Sequence, residues 1–471
     1  MRFCTMTLGC KVNQYETQAI ESILKDGGHE MKIPGEGCDV CIINTCAVTA
    51  ESVRKSRQAI RRMKKLEPEA IIAVYGCFSQ LEPESVAKLK VDIISGTSDR
   101  LEFAQRVEDT GTVLLSYNKT RGRFFCPPGG NTKTRGRFFC PPDGNTFEEL
   151  PPGSASNRTR ALLKIQDGCD NYCAYCVVPY ARGRSRSLPL SRMAEYAKQL
   201  EEQGYKEIVI TGIEISSYGK DFSQPPLTAT PSLITAIRTI SSAAPNTRLR
   251  LGSLDPTMLT DEFIIQLRDI PNLCDHFHIS LQSGCDETLR RMGRKYNTKH
   301  VQKAIDSIRN YFKECGITAD LITGFPGEAE VDFNRTMAFI KKAAFSEMHI
   351  FPYSPRPGTK AEGLPNQIDK KIKKERAQKA AAIAKTNANN FKQSQIGKTT
   401  QVLFEQEKGG FYVGHSSNYL EIVVKEKVEK NSIHNVKISA IKNNILTGEV
   451  IRLTPRLIES KMLNNNTKND F

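Results

Sequence analysis

Residues 167–176 read DGCDNYCAYC, and the spacing Cys169-x3-Cys173-x2-Cys176 within them decides the reading of the chain. Three thiolates on one short loop can ligate three irons of a 4Fe–4S cube and leave the fourth iron open. A zinc site would more often add a fourth Cys or His at characteristic spacing. None lies nearby, and no His occurs between His29 and His276. The preceding residues, 160–166, have the pattern of a strand. The cysteine loop therefore sits at a strand's carboxyl end, where β/α barrels place their chemistry.

Downstream of that loop, strand and helix patterns alternate through residue 390. Further strands are expected at 206–211, 247–252, 275–281, 317–322 and 346–352, enough for a partial or complete β/α barrel. A long basic helix follows at 369–395, with nine basic and two acidic residues between Asp369 and Lys398. Beyond it lie five short strand patterns (399–407, 411–415, 419–426, 433–439 and 446–453), with Gly409-Gly410 at a turn. They predict a small, oligonucleotide-binding-like β-barrel. The terminal NNNTKND reads as disordered.

Upstream, residues 1–110 also alternate. Arg2–Leu8, 38–44, 70–75 and 91–95 are candidate strands of a parallel sheet. Asn13 with Glu16 marks a helix start, Gly27-Gly28 its end, and a basic helix fits 48–66. Between the two alternating regions, KTRGRFFCPPGGNT is followed directly by KTRGRFFCPPDGNT, with thirteen of fourteen positions matching. This tandem duplication at 119–146 reads as an inserted linker. An arginine-rich RNA contact, or cluster ligation by Cys126 and Cys140, is the alternative. The domain limits are thus 1–115, a 116–154 linker, 155–395, 396–460 and a 461–471 tail.

A second set of cysteines is dispersed: Cys10, Cys46 and Cys77, at intervals of 36 and 31, each after a predicted strand (TLGC, INTC, VYGC). In a parallel sheet such carboxyl ends share one edge. The three either converge on one cluster or are buried strand-end cysteines. Cys38 and Cys41 form a CxxC inside a predicted buried strand and read as core, as do Cys4, Cys274, Cys285 and Cys315.

The chain has 471 residues, 14 cysteines and a formal charge of +15. No apolar run approaches the ~18 residues of a membrane span, and the start does not read as a signal peptide. A cytoplasmic location without membrane association is expected. There, cysteines stay reduced and clustered ones hold metal. The positive charge fits either a polyanionic partner or a merely basic protein.

The CxxxCxxC motif resembles that of the radical S-adenosylmethionine (SAM) superfamily. In that family the open iron binds SAM, whose reductive cleavage yields a radical that abstracts hydrogen from an unreactive C–H bond. The resemblance places Tyr175 near the adenine. LGCKVNQYET, INTCAVT and YGC resemble the amino-terminal domain of the methylthiotransferases, where these three cysteines hold a second 4Fe–4S cluster. The likeness continues through RTRALLKIQDGC (158–169), TGIEISSYG (211–219), RLGSLDP (250–256), HISLQSGCDETLRRMGRKY (278–296), ITGFPGE (322–328) and HIFPYSPRPGTKA (349–361). The last barrel resembles the TRAM RNA-binding domain.

That resemblance implies an α/β protein with an amino-terminal parallel α/β domain, a central radical SAM partial barrel and a TRAM barrel. It also implies two 4Fe–4S clusters on the six cysteines, with SAM as methyl donor and radical source. Gly212 would place a backbone group near the SAM amino group. Ser253, Gln282 and Arg294 would contact SAM or substrate, or else pack the loops; Arg356 would reach a phosphate or SAM, or belong to a surface loop. Gly324, Pro326 and Gly327 shape a turn.

LGCKVNQYET and FPYSPRPGTKA look most like the branch that modifies N6-threonylcarbamoyladenosine beside the tRNA anticodon. Other branches act on isopentenyladenosine in tRNA or on a ribosomal-protein aspartate. A non-catalytic iron–sulfur RNA-binding protein is the reading from another class. A tRNA anticodon loop and an electron donor such as flavodoxin or ferredoxin are the expected partners; the sulfur source is open.

Overall fold

A computed structural model describes residues 1–114, 146–153, 158–222 and 231–451, with side chains from 111 to 114 left aside. The duplicated segment, Thr146 apart, and the 461–471 tail lie outside the described residues.

The amino-terminal region contains β1 (Arg2–Thr7), α1 (Lys11–Asp26), β2 (Glu30–Met31), β3 (Val40–Thr45), α2 (Ala50–Leu66), β4 (Ile71–Gly76), α3 (Cys77–Leu81), α4 (Pro83–Ala87), β5 (Ile93–Ile94) and α5 (Arg100–Leu114). Its five parallel strands run in the order β2-β1-β3-β4-β5. Every residue of β3 (VCIINT) and β4 (IIAVYG) is buried, as expected of strands covered on both faces. Two boundaries differ from the sequence reading. Helix α1 starts at Lys11, with Cys10 at its N-cap. Asn13 cannot cap it, because its amide donates to Leu8 O, Asn44 Oδ1 and Thr45 O. Strand β3 starts after Cys38, since Asp39 instead accepts from Arg2 N at 2.6 Å. Cys38 and Cys41 are both buried in the same apolar cluster.

The central region contains β6 (Arg160–Lys164), β7 (Gln166–Asp167), α6 (Val178–Arg182), β8 (Arg186–Ser187), α7 (Leu190–Glu202), β9 (Glu207–Thr211), α8 (Leu233–Ala243), β10 (Arg248–Leu251), β11 (Ser253–Leu254), α9 (Asp261–Arg268), β12 (His276–Gln282), α10 (Asp286–Arg291), α11 (Thr298–Tyr311), β13 (Gly316–Thr323), α12 (Glu330–Ala343) and β14 (Glu347–Pro352). Two parallel sheets, β10-β9-β6 and β11-β12-β13-β14, meet where Gly252 separates β10 from β11. This is an open half-barrel with its helices outside, where Leu163, Ile208, Leu249, Phe277 and Ile317 join the main core. The predicted strand 160–166 ends at Lys164. The chain then turns, and Gln166 and Asp167 pair antiparallel with Ser187 and Arg186.

The amino-terminal region closes part of the open side. Tyr15 and Ala19 of α1 pack with Leu150 on Leu162 of β6 and Val209 of β9. Helix α13 (Lys370–Gln393) follows, matching the predicted basic helix. The chain divides into compact units at Ala384 and Lys385. The second unit is a closed barrel in the order β15 (Thr399–Lys408), β16 (Phe411–Ser416), β17 (Glu421–Val424), β19 (Ile445–Val450), β18 (Ser432–Lys442). It has its own core of Val402, Phe404, Ile422, Val436, Ile438 and Leu446.

Candidate active site

The parallel register brings the dispersed cysteines together. Thr7 pairs with Asn44, and Thr45 pairs with Gly76. Cys46 and Cys77 therefore leave neighbouring strands side by side, and Cys10 follows β1 by three residues. Two glycines make this approach possible. Gly9 has φ +107°, and a Cβ there would lie 3.1 Å from the Cys46 Sγ. Gly76 has φ +106°, and its Cβ would lie 2.5 Å from Asn44 Oδ1. Side chains larger than hydrogen would force the loops apart.

The second triad is held on a stapled loop. Cys169 N donates to Gly183 O at 3.1 Å, Ala174 N to Met292 O at 2.8 Å, and Ala361 N to Ala174 O at 2.7 Å. Arg294, below a tenth exposed, donates through Nη1 to Cys173 Sγ at 3.2 Å, through Nη2 to Asp255 at 3.2 Å and through Nε to the Tyr296 hydroxyl at 2.9 Å. A polar cleft of about 220 Å³ adjoins Cys173, lined by Glu214, Ser216, Lys220, Asp255 and Arg294 among others. Burial first, then Asp255, pushes the Glu214 carboxyl up to about 7.

The other expected contact residues, Tyr175, Gly212, Ser253, Gln282 and Arg356, do not line this cleft. Tyr175 stacks edge-on against Phe325, with ring centroids 6.4 Å apart. Gly212 lies against Gln166: a Cβ there would be 3.0 Å from the Gln166 side chain. Gln166 Oε1 accepts from Glu214 N, and its Nε2 donates to Gly168 O and Ser185 Oγ. Ser253 stands on β11 beside His278 of β12. Gln282 ends β12 with φ +64°. Arg356 is buried near the first triad, 3.5 Å from Glu82, with its Nε lacking a partner.

A charged network between the two triads went unread in the sequence. Glu16 of α1 lies 2.7 Å from Arg100, 3.0 Å from Lys164 and 2.8 Å from Arg182. Asp167 lies 2.7 Å from Lys164 and 2.9 Å from Arg182. All five side chains are at most 3% exposed. Arg182 also donates to Asn13 Oδ1 at 2.8 Å. Asp167 is two residues from Cys169 and Asn13 three from Cys10, so the network ties both cysteine loops to one salt-bridged knot. The signal available was Lys164 and Asp167, charges in and just after an otherwise apolar strand.

The donor chemistry suits iron–sulfur clusters. Among the described residues, no group of three His, Cys, Asp or Glu closes on a single metal ion. Cys10 is exposed at the start of α1, whereas Cys77 is buried, and burial pushes its thiol up to about 12. Cys169 is pushed up to about 11 and Cys176 to about 12, again chiefly by burial. Buried thiols of this kind become thiolates when a cationic metal centre replaces the proton.

Residues 163–340 match the radical SAM superfamily, and residues 2–96 match Uncharacterized protein family UPF0004. The threonylcarbamoyladenosine tRNA methylthiotransferase MtaB of Bacillus subtilis (strain 168) is 35% identical over 426 residues, 89% of each chain. The chain belongs to the MtaB-like radical SAM methylthiotransferases. The tRNA-2-methylthio-N(6)-dimethylallyladenosine synthase of Thermoanaerobacter sp. (strain X514) is 29% identical over 459 residues, 95% of this chain and 92% of that one. Among solved structures, the radical SAM methyltransferase TsrM of Kitasatospora setae shares the fold, with TM-score 0.53 and 14% identity over 77% of this chain and 74% of that one. As a member of this family the chain uses SAM and 4Fe–4S clusters as cofactors. No described helix is long and apolar enough to cross a membrane.

Proposed function

We propose that this MtaB-like enzyme adds a methylthio group to C2 of N6-threonylcarbamoyladenosine beside the tRNA anticodon. The observation that carries the reading is the pair of cysteine triads, one on the half-barrel and one on three adjacent strand ends, joined by the Glu16–Asp167–Arg182 knot. Cys169, Cys173 and Cys176 would hold one cluster, and Cys10, Cys46 and Cys77 the other. When bound, these cofactors supply a SAM-derived radical and a site for the sulfur to be transferred, chemistry that acid–base side chains cannot perform.

The chain's own residues bind and position. Arg294 fixes Cys173 and joins it to Asp255. Glu214, Ser216 and Lys220 give the adjoining cleft the mixed charge that an amino-acid zwitterion such as SAM's requires. Gly212 admits close backbone approach, and Tyr175, Ser253 and Gln282 border the same end of the half-barrel. The target base must be unstacked, which a single-stranded loop permits at modest cost. A one-electron donor such as flavodoxin or ferredoxin completes the reaction. The likeness to dimethylallyladenosine synthases makes an isopentenylated adenosine the second reading.

The test is expression in a host lacking its own threonylcarbamoyladenosine methylthiotransferase, followed by mass spectrometry of tRNA nucleosides. A threonylcarbamoyladenosine heavier by one methylthio group, lost in Cys173→Ala and in Cys46→Ala, is expected. A methylthio group on isopentenyladenosine instead would transfer the assignment to the second branch, and unchanged tRNA from cluster-loaded protein would refute both.

A further inference from the structure

The edge strand β14 leaves two side chains uncovered on the open face of the half-barrel. Met348 and Ile350 pack on the main core beneath the outer helices. Alternation along a strand therefore turns His349 and Phe351 to the opposite, open face. The neighbouring strands agree. His349 pairs in register with Asp320, its ring lies 6.0 Å from that of His278, and His278 Nε2 is 3.2 Å from Asp320. Phe351 is 47% exposed, a large apolar ring left in solvent on the face where the chemistry takes place.

Its contacts along the sheet and along the chain place it between the two triads. In register Phe351 stands beside Ile322, which packs with Tyr175 and Phe325, and Tyr175 adjoins Cys176. Just beyond β14, Ser354 Oγ accepts from Ala50 N at 3.1 Å and Arg356 lies 3.5 Å from Glu82. Ala50 opens the helix that follows Cys46, and Glu82 ends the short helix that Cys77 begins. One side of Phe351 thus reaches the 169–176 loop, and the residues after it reach the Cys46 and Cys77 loops.

An adenine that reacts at C2 must be held by its face, because the edge carrying N1, C2 and N6 has to stay open to the cofactors. Aromatic side chains hold unstacked bases in this way. We infer that Phe351 is the stacking platform for the target adenine, and that it holds the ring plane between the two triads. The inference rests on the substrate reading above and names the residue that positions its base. Stacking does not read the N6 substituent, so Phe351 orients the adenine without choosing between branches.

Fluorescence anisotropy with synthetic anticodon stem-loops tests this without turnover. One probe carries threonylcarbamoyladenosine at the target position and the other an abasic residue there. The parent should bind the base-bearing loop more tightly. Phe351→Leu keeps apolar bulk at a half-exposed position but removes the π face. It should shrink that ratio by about fivefold to a hundredfold with iron content unchanged, and Phe351→Tyr should retain the ratio. The inference is overturned if the ratio in Phe351→Leu equals the parent's. That holds even when both affinities fall together, because the ring would then cover another part of the RNA or of the chain. It is also overturned if the parent does not separate the two loops, a comparison that needs no variant. If either result comes with tRNA that the parent does methylthiolate, this inference alone fails. Unchanged tRNA from cluster-loaded protein would defeat the substrate reading, and this inference with it.

Discussion

Glu214 shows how a single side chain couples the site to pH. It is less than a tenth exposed, accepts from Ser216 N at 3.3 Å and faces Asp255 across the cleft. Burial first and Asp255 second raise its carboxyl from 4.5 to about 7. The folded chain therefore keeps a proton that the unfolded chain releases. Its contribution to stability is present below about pH 4.5 and is lost as pH rises through 7. Glu214→Gln is neutral at every pH and retains the acceptor oxygen. The variant should gain on the parent between pH 5 and 7.5 by on the order of 2–3 kcal/mol. Thermal unfolding of cluster-free protein at the two pH values measures the gap; parallel profiles would contradict the argument.

At the scale of elements, the contact between α1 and the half-barrel rests on Glu16 more than on any exposed pair. Burial works against its charge, but Arg100, Arg182 and Lys164 overcome this and hold the carboxyl down to about 2. Glu16→Gln would leave three buried cations sharing Asp167 and Glu148, at a cost of about 3–5 kcal/mol. Breaking the exposed Arg192–Glu149 bridge, 2.7 Å long with both side chains over a third exposed, should cost under about 1 kcal/mol. Urea unfolding of the two variants compares them directly, and equal losses would mean the knot is not what holds α1 to the sheet. With the folded carboxyl lowered, its stabilisation is complete above pH 4.5 and lost as pH falls through 2.

The same elements show what a sequence can and cannot disclose. β3 and β4 were legible because continuous apolar runs mark strands buried on both faces, and TLGC, INTC and YGC placed their cysteines at carboxyl ends. The cysteine triad on 167–176 was legible because its spacing is local. The knot was not, because Glu16 meets Lys164 across 148 residues, and no periodicity encodes such a pairing. The start of α1 was misplaced for a related reason: Asn13 has a capping residue's chemistry, but its amide is spent on Asn44 and Thr45 of another strand. Two-residue strands such as β7 and β11 are too short to carry any pattern.

For the molecule as a whole, charge placement argues for how tRNA is engaged. The span Asp369–Lys398 has nine basic and two acidic residues, close to half of the net +15. Along α13, Arg376 and Lys373 are buried: Arg376 lies 2.8 Å from Glu328, and Lys373 sits over the Tyr353 ring. Those two are fixed in the protein and unavailable to RNA. Lys370, Lys371, Lys374 and Lys379 are exposed, with no ion pair or hydrogen bond to their side chains among the described residues. If they neutralise phosphates, each releases counterions, and the logarithm of affinity falls with the logarithm of salt by about 0.7–0.9 per contact. Changing all four to Gln should therefore flatten the salt slope of tRNA binding by roughly 3. The preference for threonylcarbamoyladenosine over unmodified adenosine should survive, because phosphate contacts position the RNA without reading the base. Binding measured across a salt series with the parent and the fourfold variant gives both numbers at once. An unchanged slope would mean that this face is merely solvated and that the phosphates are met elsewhere.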